Sequence, residues 1–468
     1  MENIFKAYDI RGIYNEELTN QSAYLIGYYF IKYTKIKTIK ISSDTRLSSN
    51  SLAKFLIKGI IDANAKPIYQ GVSSTPNFYY SLFKETNHGI MITASHNPKE
   101  YNGFKFILNS ISFDSRNGLL ELKKIISKDE DNIQKKINTI QTKLESLNIN
   151  EFIKKNNIEE KSQLQNYVFY LVNKYESLLN KEEQKVLNEI NICFDFSSGV
   201  SSLALFPFLK EISLNFSTIN QIPDGEFPFH SPDPSKQSKY LQEQTHIKTD
   251  LYIIFDGDGD RIVLYDKNGE KILPDHLIAI LIDYFSKNSN HFVIDLRASR
   301  ILQDICRSNN IKLDLLRVGR SFYQDFMKAN NCTFGAELSG HLFFKEFNYF
   351  DNPDIAIIYI LKIIAQQILN NNKNFSITDL TKKYQKYYKL EEKNLIVNNA
   401  SKTLEIIKNK YKDYLTLQID GYSFDLNDFW FNIRKSNTEP KIRINFEGKN
   451  KENTIKEYNN LINFIKKI

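Results

Sequence analysis

The chain has 468 residues, with 62 Lys and Arg against 55 Asp and Glu for a formal charge of +7, 41% hydrophobic and 13% aromatic residues, and only 17 Gly and 11 Pro. That composition excludes a disordered or fibrous protein, and at about 150 residues per domain the length suggests roughly three domains. The basic residues are spread among Asn and Ile rather than gathered into a patch, so nucleic acid is not an expected partner.

From the N-terminus, short β-branched runs alternate with helical patterns. "IKTIKISSD" (36–44), "AKPIYQG" (65–71) and "HGIMITAS" (88–95) predict strands, and "SLAKFLIKGIIDAN" (51–64) carries apolar residues at helical spacing. That order predicts a mostly parallel α/β sheet. "INICFDFSS" (190–198) with "DLYIIFDGDGD" (250–260), and "HFVIDLRAS" (291–299) with "CTFGAELSG" (332–340), predict a second and a third such unit. In each an apolar strand runs into a polar loop, where open α/β sheets place their ligands. Between them, 119–189 sets Ile126, Ile133, Ile137, Ile140, Leu144 and Leu147 among Lys, Glu, Asn and Gln, which predicts an amphipathic helical connector between domains, too short in its repeat for a coiled coil. A helical run ends near 370, "NNNKNFS" reads as a linker, and the remainder closes as strand, loop, strand, helix around "FWFNIRKSNTEPKIRINFE", a small α+β domain.

Cys193, Cys306 and Cys332 are odd in number, widely spaced and in no CxxC pair, which argues for reduced thiols. The start, "MENIFKAYDIRGIY", lacks the apolar core of a signal peptide, and the most apolar run, "IAIIYILKIIAQQIL" (355–369), is too short and interrupted to span a bilayer. No membrane partner and a cytoplasmic location are therefore expected.

Four loops could carry chemistry. "DGDGDR" (256–261) places Asp256, Asp258 and Asp260 at i, i+2 and i+4, which on a helix would point apart. It must be a loop, whose two glycines let the acids turn inward; the rival reading is an ordinary acidic turn. Three hard oxygen donors suit Mg²⁺, while the EF-hand pattern fails because its sixth and twelfth positions hold Arg261 and Lys267. Three carboxylates around Mg²⁺ leave a net charge of about −1, so an incoming phosphate needs cations. Arg261 adjoins the acids, and Arg11 and Lys105 are further candidates.

"TASHNP" (93–98) puts Ser95 at a strand end, either as a turn residue or as a carrier of a phosphoryl group with His96 and Lys105 as nearby cations. A serine hydrolase fits less well, since G-x-S-x-G is absent. "GAELSGH" (335–341) offers Glu337 and Ser339 for sugar hydroxyls and His341 as a group that titrates near neutral pH, or else a structural turn. "RKSNTEP" (434–440) gathers Arg434, Ser436, Asn437 and Thr438 between two strands, a donor-rich loop suited to a phosphate or a plain polar hairpin.

Together, in this order, the four loops resemble those of the α-D-phosphohexomutase superfamily, as do "AYDIRG" (7–12), "YNGFKF" (101–106) and "PDGEFPFHSPDP" (223–234). The resemblance implies an α/β protein of three related mixed α/β domains (1–155, 156–268, 269–372) and a C-terminal α+β domain (373–468) around a central active-site cleft, one domain more than length suggests. It implies that Ser95 is the phosphoserine and, with Asp256, Asp258 and Asp260, holds Mg²⁺. A hexose 1,6-bisphosphate would be the intermediate and activator. Arg11, His96, Lys105 and Arg261 would stabilise the transferring charge, with His341 and Lys105 as proton carriers. Tyr8, Arg297, Arg320, Glu337 and Ser339 would border the sugar, and Arg434, Ser436, Asn437 and Thr438 would clamp the other phosphate on a movable domain.

Leu338 and Asn437 resemble the phosphomannomutase and phosphoglucomutase group, with phosphoglucosamine mutase as the alternative and a non-catalytic phosphosugar-binding protein as a more distant one. Two departures bear on specificity: Arg297 stands where the superfamily usually has Lys, and Arg320 where it often has His. Hexose phosphates are the expected partners, with a monomer as the first expectation for the assembly and a dimer as the second.

Overall fold

The computed structural model describes residues 2–370, 375–435 and 441–468, and side chains outside 129–140. The first sheet holds β1 (Ile10–Ile13), β2 (Thr38–Ser43), β3 (Lys66–Val72), β4 (Gly89–Ile92), β5 (Tyr101–Leu108), β6 (Ile111–Phe113) and β7 (Glu159–Glu160). Its order is β1-β5-β4-β2-β3-β7, with β6 on β5. β4, β2, β3 and β7 run parallel, while β5 pairs antiparallel with both β4 and β1. The sheet is therefore mixed, and its antiparallel member folds straight back from the end of β4.

The next two sheets repeat that plan with fewer strands. β8 (Ile192–Asp195), β9 (Phe216–Ile219), β10 (Leu251–Phe255) and β11 (Ile262–Asp266) run in the order β11-β10-β8-β9, and only β11 is antiparallel. β12 (His291–Asp295), β13 (Lys312–Leu316), β14 (Phe334–Ala336) and β15 (Leu342–Phe344) run β13-β12-β14-β15, again with one antiparallel edge strand. The C-terminal unit is antiparallel among its described pairs: β16 (Tyr388–Lys389), β17 (Lys393–Ile396), β18 (Leu415–Leu417), β19 (Tyr422–Asp425), β20 (Phe429–Lys435) and β21 (Lys441–Gly448), backed by helix Lys451–Ile465. The predicted strands and the helix over 51–64 are all present, within a few residues of their expected ends.

Region 119–189 is helical but is not a connector. Leu119, Leu122, Ile126 and Leu144 are buried in the same apolar cluster as Phe30, Leu56 and Phe106, so helix Leu119–Glu145 closes the first unit. The Lys54 ammonium reaches across to donate to the Leu144 carbonyl at 2.8 Å, satisfying one of the carbonyls a helix end leaves free. The chain then adds β7 to the first sheet before helix Leu164–Leu178 packs on the second unit through Tyr167, Leu171 and Tyr175. Periodicity announced the apolar stripe but not what it would face; the side chains of Ile133, Ile137 and Ile140 lie outside the described ones, as does most of the predicted linker.

Cores follow the same division with one exception. A single apolar cluster runs from Phe78, Tyr79 and Met91 of the first unit through Phe194 and Phe255 of the second to Phe292, Phe334 and Phe350 of the third. Each fully buried side chain of that size contributes about 1.5–3 kcal/mol, so these units are joined by apolar burial. The fourth has its own cluster around Phe424, Phe431 and Phe446. Helix Pro353–Asn370 is, by length and composition, apolar enough to cross a membrane, contrary to the expectation from its sequence, but 67% of it is buried inside the molecule. It is the central core helix.

At the start of that helix, Asp354 is 2% exposed, and the Tyr167 hydroxyl donates to its Oδ2 at 2.8 Å. Burial pushes its carboxyl up to about 7, with the Tyr167 bond opposing. A folded value above the unfolded one means that the stabilisation is complete at low pH and is lost as pH rises through about 7. Asp354→Asn keeps the shape without the charge. Its melting temperature relative to the parent chain should therefore be higher at pH 8 than at pH 5; an equal difference at both would show that the carboxyl does not titrate there.

Candidate active site

The serine, acidic and sugar loops are each the turn of a hairpin. Residues 93–100 join β4 to β5, 256–261 join β10 to β11, and 337–341 join β14 to β15. In each case a strand of the parallel set delivers its polar end, and the antiparallel strand carries the chain away. The fourth loop would join β20 to β21, but Ser436, Asn437 and Thr438 lie outside the described residues.

Ser95 sits at a strand end as expected, yet it is buried rather than exposed, at 1%. Its φ of 53° lies in the left-handed region that non-glycine residues rarely adopt, a strain typical of functional positions. Its Oγ donates to Asp256 Oδ2 at 2.7 Å, and His96 Nδ1 lies 3.3 Å away. Gly257 makes that approach possible: a Cβ there would stand 2.7 Å from the Ser95 carbonyl oxygen. Of the two glycines in the acidic loop, only Gly259 has a positive φ, at 74°.

All three aspartates are fully buried. Asp256 Oδ1 accepts the backbone N–H groups of Gly259 at 3.0 Å, Asp260 at 3.1 Å and Arg261 at 3.3 Å, which turns Oδ2 toward the serine. Asp258 Oδ2 accepts from Thr75 Oγ1 at 2.7 Å, at the first turn of helix Thr75–Lys84, whose N-cap is Ser74. Lys105, on β5, places its ammonium 2.5 Å from both Asp258 Oδ2 and Asp260 Oδ2. Asp258 Oδ1 is buried with no hydrogen-bond partner, Asp260 Oδ1 has only ion-pair contacts with His341 at 3.4 Å and Arg261 at 3.8 Å, and the three side chains offer oxygens within 4.8 Å of one another. Hard oxygens in that arrangement, one of them orphaned, fit a divalent cation such as Mg²⁺.

The charges here are strongly coupled. Burial and then the like charges of Asp260 and Asp258 push Asp256 far above the usual carboxylate range. Burial would raise Asp260 too, but Lys105 and His341 hold it well below. Lys105 is opposed by burial yet held well above its ordinary value by Asp258 and Asp260. For His96, burial, then Arg261 and Arg11, push the ring down to about 2 beside the unphosphorylated Ser95, so in this state it differs from the expected cation.

His341 is fitted between two loops. Its Nε2 is 3.4 Å from Asp260 Oδ1, and its Nδ1 is 3.0 Å from Glu337 Oε2 and 2.8 Å from Ser339 Oγ. Burial and Arg261 oppose its charge, but Asp260 and Glu337 raise it to about 9. Glu337 Oε1 also accepts the Gly319 N–H at 2.7 Å.

A cavity of about 310 Å³ opens over this floor, lined by Ser95, Lys105, Asp260 and Arg261 on one side and Gly319, Arg320, Glu337, Ser339 and His341 on the other. Tyr8 and Arg11 line it too, and so do Lys6 and Asp9, which sequence reasoning missed. Tyr8 Oη donates to the Val318 carbonyl at 2.8 Å, and Arg11 is held by Asp9 at 2.7 Å and Asn97 at 2.8 Å. Arg320 turns its guanidinium to the Tyr79 hydroxyl and lies 3.6 Å from Asp351 Oδ1.

Arg297 and Arg434 are not among the residues lining the cavity. They meet instead at Glu392, whose Oε2 lies 3.5 Å from Arg297 and 3.4 Å from Arg434. Burial would raise Glu392, but these arginines hold it below its usual range. Arg46, Thr75, Asp351 and Glu392 also escaped sequence reasoning; only Thr75, in "SSTP" after a strand, carried a local signal, that of a helix start.

A buried serine beside three carboxylates, with Lys105, Arg11 and Arg261 lining the same cavity and Glu337, Ser339 and His341 across from them, has the charge and donors that phosphoryl transfer on a small polar substrate calls for. Comparison with known proteins agrees. Profiles of the phosphoglucomutase/phosphomannomutase alpha/beta/alpha domains I, II and III match residues 2–141, 165–269 and 273–387, and the C-terminal domain matches 392–461. The chain is 34% identical to a phosphomannomutase of Methanocaldococcus jannaschii over 97% of its own length and 95% of the relative's. It is 28% identical to a phosphoglucomutase/phosphomannomutase of Thermococcus kodakarensis over 97% and 96%. The structure of a phosphoglucomutase/phosphomannomutase family protein from Burkholderia thailandensis superposes with a TM-score of 0.82 at 22% identity, covering 99% of this chain and 97% of that one. The chain belongs to the phosphoglucomutase/phosphomannomutase family, a family of metal-dependent enzymes, and is a hexose-phosphate mutase.

If the aspartates hold the metal, adding MgCl₂ should raise the melting temperature of the protein, since a ligand that binds only the folded state stabilises it by about 2.7 kcal/mol at a hundred times its Kd. Asp258→Asn should lose most of that rise while still unfolding cooperatively, because Lys105 keeps Asp260 as its partner. An undiminished rise would place the cation elsewhere.

Proposed function

We propose that the enzyme interconverts the 1- and 6-phosphates of a hexose, mannose or glucose, through phosphorylated Ser95 and a hexose 1,6-bisphosphate. The observation that carries this reading is the 2.7 Å contact between Ser95 Oγ and Asp256 at the floor of a cation-lined cavity. A sugar hydroxyl oxygen attacks the phosphorus on Ser95: a new P–O bond forms and the Oγ–P bond breaks, the hydroxyl gives its proton to the neutral form of His341, the minor form of a ring raised to about 9, the leaving Ser95 Oγ takes a proton from solvent in the cavity, and His341 returns its own to solvent. After the bisphosphate turns over, the reverse sequence returns the other phosphoryl group to Ser95. Mg²⁺ held by Asp256, Asp258, Asp260 and the serine phosphate would supply Lewis-acid charge.

Arg11, Lys105 and Arg261 converge on the serine and stabilise the transferring charge, while neutral His96 offers a hydrogen bond. Glu337 and Ser339 face the cavity beside His341 and hold sugar hydroxyls, with Tyr8 and Arg320 as its borders. Arg434, with Ser436, Asn437 and Thr438, holds the second phosphate, and Arg297 supports it from the third unit through Glu392. Leu338 and Asn437 favour mannose or glucose over glucosamine. We place the enzyme in the cytoplasm as a monomer, without nucleic-acid or membrane partners.

Incubation with a hexose bisphosphate should add the mass of one phosphoryl group, and a hexose monophosphate should remove it; no change would refute the phosphoenzyme. Ser95→Ala should abolish turnover and the mass gain while unfolding cooperatively. His341→Asn should lower kcat by roughly 10²–10⁴-fold, the usual contribution of a positioned proton carrier. Turnover of mannose, glucose and glucosamine 1-phosphates separates the sugar readings, and preference for the amino sugar would make the enzyme a phosphoglucosamine mutase instead.

A further inference from the structure

We propose that Arg46 sets the geometry of the serine loop and that the segment 223–227 of the second unit locks Arg46 in place, making both positioning elements for phosphoryl transfer. The proposal rests on the reading of Ser95 as the phosphoryl carrier.

Arg46 is 2% exposed and does not line the cavity. Its Nη2 donates to the carbonyls of Ser95 at 2.8 Å and Asn97 at 2.6 Å, and its Nη1 to those of Pro98 at 2.6 Å and Tyr101 at 3.0 Å. Nε donates to Asp44 Oδ2 at 3.1 Å, so all five donors of the fork are engaged. Asp44 is fixed in turn by the Arg46 N–H at 3.0 Å and Ser49 Oγ at 2.8 Å. Four carbonyls within seven residues therefore turn inward onto one planar cation, and the first of them belongs to the residue in the left-handed conformation. The bond to the Ser95 carbonyl is buried, and a buried carbonyl without a donor is costly, so the guanidinium holds the left-handed serine in register with the other three carbonyls, of which that of Pro98 also accepts the Tyr101 N–H at 3.1 Å. An ammonium, with three donors and no plane, cannot copy it.

The second unit covers this device. The Phe227 ring lies 5.1 Å from the Arg46 guanidinium carbon, within cation–π range. A Cβ at Gly225 would stand 2.5 Å from the Thr45 carbonyl oxygen and 2.8 Å from Arg46 Cα, so glycine is what allows the segment to seat against the Asp44–Arg46 turn. No residue of "PDGEFPFHSPDP" lines the cavity, and this contact gives its first half a role. The serine is aimed from both sides of the junction between units.

The test uses the full chain with Mg²⁺. Arg46→Lys should lower kcat and the single-turnover rate of Ser95 phosphorylation from a hexose bisphosphate by the same factor, about 10–100-fold, as expected when a reacting group shifts by a fraction of an ångström to about one ångström. KM should move by less than about threefold, and the Mg²⁺-induced rise in melting temperature should persist. Phe227→Leu, which removes no hydrogen bond of the serine loop, should show the same kinetic signature on a smaller scale, about 3–10-fold. If Arg46→Lys does not unfold cooperatively, Phe227→Leu decides alone. A wild-type chain that gains no phosphoryl group refutes the reading of Ser95. A wild type that is phosphorylated, alongside variants whose phosphorylation rate and kcat stay within about twofold of it or whose losses fall on KM, overturns the positioning role.

Discussion

Three buried carboxylates within five residues are the constraint around which the molecule is organised. Placing so much negative charge out of water costs several kcal/mol per ion unless opposite charge and hydrogen bonds meet it. No single unit of this chain supplies them all. Lys105 and Thr75 come from the first unit, the backbone N–H groups and Arg261 from the second, and His341 from the third. Removing one partner of a buried ion pair typically destabilises by about 3–5 kcal/mol, so the acidic loop fastens the three units through charge in addition to the burial of their common apolar cluster. The site and the junction are the same object.

That arrangement needs every loop to be delivered at the same kind of place. In the first three units a strand of the parallel set ends in the chemistry, and an antiparallel neighbour returns the chain: β4 to β5, β10 to β11, β14 to β15. A hairpin fixes the exit direction of a loop far more tightly than a crossover does, because both flanking strands are hydrogen-bonded to each other. Lys105 illustrates the benefit. It lies on the returning strand of the serine hairpin, register-paired with Met91 of β4, and from there reaches the acids of the neighbouring unit.

Much of the chemistry was legible in the sequence, because short loops concentrate it: Ser95, the three aspartates, Glu337, Ser339 and His341 each stand in a compact run after an apolar strand. What was not legible depends on partners far apart in the chain. His96 has no charged residue beside it in sequence, yet burial first, and then Arg261 and Arg11, push its ring down to about 2. The amphipathic stripe of 119–145 was visible, but its burial against the helix Asn20–Thr34 is a tertiary fact that no periodicity encodes. Arg46 reads as one basic residue among 62, and only the folded loop shows four carbonyls pointing at it.

The fourth unit is joined differently, and the difference bears on how the proposed site would serve both ends of a sugar bisphosphate. Its apolar core is its own. It meets the third unit through ion pairs and hydrogen bonds: Lys389 to Asp275 at 2.7 Å, the Arg300 N–H to Glu447 at 3.0 Å, and the Glu392 bridge between Arg297 and Arg434. Polar contacts of this kind exchange for water at little net cost, whereas parting the shared apolar cluster of the other three units would expose Phe and Ile side chains at about 25 cal/mol per Å². The reacting centre thus stands on the rigid part of the molecule, and Arg434 stands on the part whose junction can be remade. On the proposed mechanism, an intermediate that presents first one phosphate and then the other to Ser95 would use that division: fixed geometry where bonds change, and an adjustable grip where they do not.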